Sequence, residues 1–215
     1  MSRSVLVAGA TGWMGTRLCA RLLERGHRVR GLARPGSESR IAPGAEAVLG
    51  DPLSPATYRA ASRPGDVLVQ LVGTAHPSPA KAAEFRAVDR AALFAALEGV
   101  ADRGVARIVY VSVAQPAPIM RAYVTVRAEC EARIAASGLD ATILRPWYVL
   151  GPGRNWPRVL EPFYWLAERF PATTSAARRL GLVTEEQMLR ALVRAVESEA
   201  RGVEIVDVPA IRATP

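Results

Sequence analysis

The feature that most restricts this chain lies at its start. A short apolar run, Val5-Leu6-Val7-Ala8, passes directly into Gly9-Ala10-Thr11-Gly12-Trp13-Met14-Gly15, and an amphipathic pattern follows to about Arg25. A strand entering a helix through three glycines is a βα unit of a parallel sheet, with each glycine given separate work. Gly9 permits the tight turn off the strand. Gly12 lets backbone approach a phosphate, and Gly15 lets helix and strand pack closely. The helix start presents unpaired N–H groups and a partial positive charge, so the expected ligand is a pyrophosphate.

The rest of the chain repeats this alternation. Strand-like runs fall at 4–8, 28–33, 45–49, 66–72, 107–113, 141–144 and 203–208, mostly as continuous apolar stretches expected of strands buried on both faces. Helical patterns lie between them at 12–25, 55–62, 79–102, 119–137, 157–170 and 184–198. Thr184-Glu185-Glu186-Gln187 reads as a capping box. The predicted fold class is α/β: a Rossmann-type doubly wound parallel sheet of about seven strands. With 215 residues, this takes nearly the whole chain as one domain, 1–215, and leaves 151–180 as a small substrate-side cap.

Composition excludes several alternatives. The apolar runs are too short for a membrane span, which needs about 20 residues. Cys19 and Cys130 make neither a disulfide framework nor a metal-ligand spacing. No metal site is expected. The start carries no secretory pattern, so the expected location is cytoplasmic. The formal net charge of +8 asks for an anionic partner, but of the 28 cations only Lys81 is a lysine and the arginines are spread over nearly every helix. Without a basic stripe interleaved with aromatics, nucleic acid is an unlikely partner, and a dinucleotide phosphate answers the charge more economically.

The Gly-x-x-Gly-x-x-Gly spacing with Ala10-Thr11 inside it resembles the short-chain dehydrogenase/reductase superfamily. The likeness is to its extended and atypical branches, epimerase/dehydratase-like and NmrA-like. Gly50-Asp51, Val109-Tyr110-Val111-Ser112 and Ser137-Gly138-Leu139-Asp140 through Arg145-Pro146 continue the resemblance to about Gly153. The cofactor is therefore expected to be NADP or NAD. Arg34 closes the second strand where an acid would hold a ribose diol and an arginine suits a 2′-phosphate, which favours NADP(H). The alternative is that Arg34 is one more solvated arginine. The resemblance implies that the glycine loop, Thr11, Trp13 and Met14 hold the pyrophosphate side, with Asp51 near the adenine. Leu71, Val72 and Gly73 would lie near the adenosine ribose. Asp51 could instead be a turn residue before Pro52, and Gly73 could simply end the fourth strand.

Enzymes of this superfamily carry Tyr-x-x-x-Lys on the helix after the fifth strand, assisted by a serine or threonine. The matching residues are Tyr123 and Arg127, with Ser112 as the nearest hydroxyl. Residues four apart share a helix face. Arginine stays charged and is no simple replacement for lysine: it favours a phenolate and can bind ribose hydroxyls, but cannot relay a proton. Pro146, Trp147 and Tyr148 would border the cofactor, while His76, Gln115, Trp147 and Trp156 are the candidate substrate contacts. Two functions follow. One is an NADP(H)-dependent oxidoreductase or epimerase-like enzyme acting on a small, partly apolar carbonyl or alcohol. The other is a non-catalytic NADP(H)-binding regulator or assembly factor, acting as a monomer or homodimer.

Overall fold

The computed structural model describes residues 2–117, 119–151 and 180–215. β1 (Ser4–Ala8) occupies the centre of the sheet because both of its faces are apolar. Val5 and Val7 enter one core, Leu6 and Ala8 the other. The strand's two-residue period thus lets four consecutive apolar side chains bury on opposite faces. α1 (Trp13–Glu24) follows, then β2 (Arg28–Ala33), β3 (Glu46–Leu49), α2 (Pro55–Ala61) and β4 (Val67–Gln70). After α3 (Ala82–Glu84) comes a π-helical segment (Phe85–Arg90), continued by α4 (Ala91–Val100). β5 (Arg107–Val111), α5 (Arg121–Ala135) and β6 (Asp140–Leu144) complete the regular alternation.

The strand order is β3-β2-β1-β4-β5-β6-β9, all parallel, where β9 is Val203–Val206. This seven-stranded Rossmann-type sheet is the one the alternation implies. α1, α6 (Glu185–Glu197) and α7 (Val208–Ala213) pack on one face, while α2, α4 and α5 cover the other. The order in which successive strands are added reverses between β1 and β4, so their carboxyl ends open a crevice where doubly wound sheets bind ligands.

The capping box at α6 forms as read: Gln187 N–H donates to Thr184 Oγ1 at 3.2 Å, and Thr184 N–H donates to Gln187 Oε1 at 2.9 Å. Several details differ from the pattern, among them β4 and β5, which are shorter than the 66–72 and 107–113 runs. The final strand stops at Val206, because Asp207 accepts from Ala210 N–H at 3.1 Å and Pro209 suits a first turn, so a helix begins at Val208. The 79–102 run contains the π-helical segment in its middle. β7 (Tyr148–Leu150) and β8 (Leu182–Thr184) pair as a separate two-stranded parallel sheet. The 157–170 helical pattern, Trp156 and nearly all of the 151–180 cap lie outside the described residues.

Candidate functional site

The glycine turn follows from contacts as much as conformation. Gly9 has φ +86°, and a Cβ there would lie 2.9 Å from the Leu71 carbonyl carbon. A Cβ on Gly15 would stand 2.1 Å from Gly9 O. Gly12, by contrast, meets only Gly9 O, at 3.2 Å. β1 and the start of α1 are therefore drawn tightly against the end of β4, while Gly12 keeps an open side. No side chain among the described residues caps α1 and its first turn contains no acid, so the positive end of the helix suits an anion. Thr11 is half-buried beside this turn.

A cavity of about 390 Å³ lies against the helix start and the carboxyl ends of β4, β5 and β6. Trp13 and Met14 enter it from α1, Leu71 from the end of β4, and Ser112 from the end of β5. Tyr123 and Arg127 enter from α5, Pro146, Trp147 and Tyr148 from beyond β6, and His76 from the loop after β4. Met120 and Met188 add apolar wall. Trp147 and Tyr148 meet edge to face at 5.6 Å.

The Tyr123–Arg127 pair shares the cavity as helical spacing requires. Arg127 Cζ lies 4.9 Å from the Tyr123 ring centroid, and Phe85 from the π-helical segment packs on the other ring at 4.8 Å. The Tyr123 hydroxyl has no hydrogen-bond partner among the described residues, whereas Arg127 is heavily committed. Its Nη2 donates to Asp89 Oδ1 at 2.5 Å, and its Nη1 donates to Tyr110 Oη and to Val111 O, both at 2.9 Å. Asp89 Oδ2 in turn accepts from Thr74 N–H at 2.9 Å and from Thr74 Oγ1 at 2.6 Å.

Asp89 is therefore a residue of the candidate site that the sequence reading did not single out; nothing in its local pattern pointed across 38 positions to Arg127. Burial disfavours the guanidinium charge, but the oxygens of Tyr110, Tyr123 and Asp89 outweigh it and hold Arg127 well above its usual range. Burial also raises the Tyr110 phenol well above its ordinary value, so it stays neutral beside Arg127. Gly73 completes the arrangement: a Cβ there would lie 2.7 Å from Arg127 Nη2 and 2.9 Å from Asp89 Oδ1.

Ser112 is equally occupied. Its Oγ donates to Glu131 Oε1 at 2.5 Å. Glu131 also accepts from Arg145 Nε at 3.1 Å, and its other oxygen pairs with Arg145 Nη2. Two cavity-lining residues, Arg127 and Ser112, are thus each held from behind by a carboxylate, Asp89 and Glu131.

Other candidate residues are more peripheral. Arg34 is exposed at the end of β2, and its carbonyl accepts from Ser37 N–H. Asp51 is exposed, with Oδ1 accepting from Leu53 N–H at 2.9 Å in a local turn. Val72 N–H is held by Gln70 Oε1 at 3.0 Å, next to Gly73. Gln115 is half-buried in the loop after β5 and does not line this cavity. His76 is exposed at the rim with φ +49°.

A family model described as NAD(P)H-binding matches residues 9–160, more than half of the chain. The chain belongs to this NAD(P)H-binding family. No curated protein matches it. Solved structures agree on the fold. UDP-galactose 4-epimerase superposes with a TM-score of 0.71 at 19% identity, over 94% of this chain and 76% of that one. The Bordetella bronchiseptica enzyme WbmH, in complex with NAD+, gives 0.67 at 21%, over 94% and 75%. A short-chain dehydrogenase/reductase from Veillonella parvula gives 0.64 at 15%, over 93% and 89%. The NAD(P)H-binding chain thus has the architecture of epimerases and short-chain oxidoreductases. No helix among its described residues is long and apolar enough to cross a membrane.

Proposed function

We propose that this single-domain NAD(P)-binding protein is an NADP(H)-dependent oxidoreductase or epimerase-like enzyme of the cytoplasm. Its substrate would be a small, partly apolar carbonyl or alcohol. The carrying observation is that Tyr123, whose hydroxyl has no hydrogen-bond partner among the described residues, lines the same cavity as the start of α1. The residues fit a dinucleotide: the open side of Gly12 at the start of α1 suits a pyrophosphate, and Trp13, Met14 and Leu71 offer apolar contact further along.

When bound, the nicotinamide supplies or accepts hydride. Tyr123 then holds the proton at the substrate oxygen, its ring fixed between Phe85 and Arg127. Arg127 keeps a buried Nε that has no hydrogen-bond partner among the described residues. Arg34, exposed beyond β2, is the cation available to a 2′-phosphate.

A second reading has its own support. Arg127 is held by Asp89 and cannot relay a proton, while Ser112 is turned to Glu131; both suit an NADP(H)-binding regulator without turnover. Incubating the protein with NADPH and a panel of aldehydes and ketones distinguishes the two. The enzyme reading expects NADPH consumption that Tyr123→Phe lowers by about 100-fold or more. NADPH binding without consumption across the panel selects the regulator, and turnover that survives Tyr123→Phe removes the tyrosine from the chemistry.

A further inference from the structure

The cavity's charges are already cancelled before any ligand enters. Arg127 is 7% exposed in its side chain and its partner Asp89 is 0% exposed, with 2.5 Å between them. Asp89 has no oxygen to spare, since the other accepts twice from Thr74. The second pair, Arg145 with Glu131, also closes on itself and takes the Ser112 hydroxyl. Each guanidinium therefore has its own carboxylate, and Arg127, the one that lines the cavity, presents a neutralised charge to it. Beside it, Met120 and Met188 line the cavity with Trp147 and Tyr148 as apolar, polarisable walls.

We infer that Asp89 is a specificity-determining residue: by closing on Arg127 it makes the cavity select uncharged, flat apolar carbonyl compounds and reject carboxylates. This rests on the oxidoreductase reading and names its substrate class. The physical reason is the asymmetry of burial. An apolar ring entering between methionines and aromatics gains from leaving water. A carboxylate entering the same space must shed its hydration against a guanidinium whose charge is already neutralised. Were Asp89 absent, Arg127 would be an uncompensated buried cation and the preferred contact for an anion.

A matched pair of probes tests this: 4-methylbenzaldehyde and 4-carboxybenzaldehyde, similar in size and reactive group but different in charge. NADPH consumption gives turnover, and quenching of tryptophan fluorescence in the NADP-loaded protein gives binding. The wild-type protein is expected to favour the methyl compound by at least about tenfold in both. Asp89→Asn is expected to shift that ratio toward the carboxylate by about tenfold or more.

Equal handling of the two probes by the wild-type protein, or an unchanged ratio in Asp89→Asn, overturns the inference. If Asp89→Asn does not fold, Asp89→Asn with Arg127→Gln removes both charges at nearly constant shape. Wild-type discrimination in that variant supports a neutral pair, and a departure of about tenfold in either direction overturns it. Turnover of neither aldehyde, with binding still discriminating, counts against the oxidoreductase reading alone. Absence of binding by both probes overturns the inference.

Discussion

Replacing Gly73 with alanine tests whether the Asp89–Arg127 pair is closed as described. Gly73 does not have a positive φ, so its backbone would accept an alanine. At an unobstructed site such a change stabilises a protein by about 0.4–1 kcal/mol, because the unfolded chain loses freedom. Here the new Cβ would lie 2.7 Å from Arg127 Nη2 and 2.9 Å from Asp89 Oδ1, and neither group can yield cheaply. Thr74 holds Asp89 on its other oxygen, while Tyr110 and the Val111 carbonyl hold Arg127.

Overpacking of this kind costs about 1–3 kcal/mol. Opening one charge-assisted hydrogen bond costs roughly 1.5–3 kcal/mol more, if the strain is relieved that way. Against the unfolded-state gain, the net expectation is a loss of about 2–4 kcal/mol. Urea unfolding would register it as a midpoint lowered by about 1 M or more at unchanged slope. In the Asp89→Asn, Arg127→Gln background the same change should cost less, with a coupling of about 0.5–3 kcal/mol. A Gly73→Ala protein as stable as the wild type would refute the closed pair.

The glycine turn gives a contrasting pair of variants. Gly15→Ala places a Cβ 2.1 Å from backbone and should lower the melting temperature strongly, whereas Gly12→Ala, at 3.2 Å, should keep the fold but weaken NADPH binding in a fluorescence titration. Arg34→Ala should reduce NADPH affinity by about tenfold while leaving NADH nearly unchanged; equal losses for both cofactors would remove Arg34 from phosphate recognition. Burial raises the Cys19 thiol from 9.0 to about 12 and the Tyr58 phenol from 10.0 to about 12. The folded state keeps these protons where the unfolded chain releases them, so their stabilisation is complete below about pH 9 and fades as pH rises toward 12. Urea unfolding at pH 8 and 10 should therefore show a loss on the order of 1 kcal/mol from Cys19, reduced in Cys19→Ala.

Much of the architecture was legible because it rests on local periodicity. β1 falls where the apolar run does, since a strand buried on both faces leaves a continuous signal. The α6 capping box was readable because its bonds span three residues. β7 and β8 were not, for each is only three residues long and is defined by its partner more than 30 positions away. The helix at Val208–Ala213 carried its signals, Asp207 and Pro209, but the apolar strand before them masked the boundary.

The sequence by itself determined the doubly wound sheet, the glycine turn and the helical neighbourhood of Tyr123 and Arg127, because strand period, helix period and turn chemistry act over a few residues. It also framed the contrast between arginine and lysine, yet could not say what the arginine would do. That was decided only by tertiary structure. The π-helical segment brings Asp89 against Arg127, Gly73 leaves the space for them, and Glu131 draws off Ser112. A buried charge takes whichever counter-charge the fold delivers, and that choice is written in no local spacing.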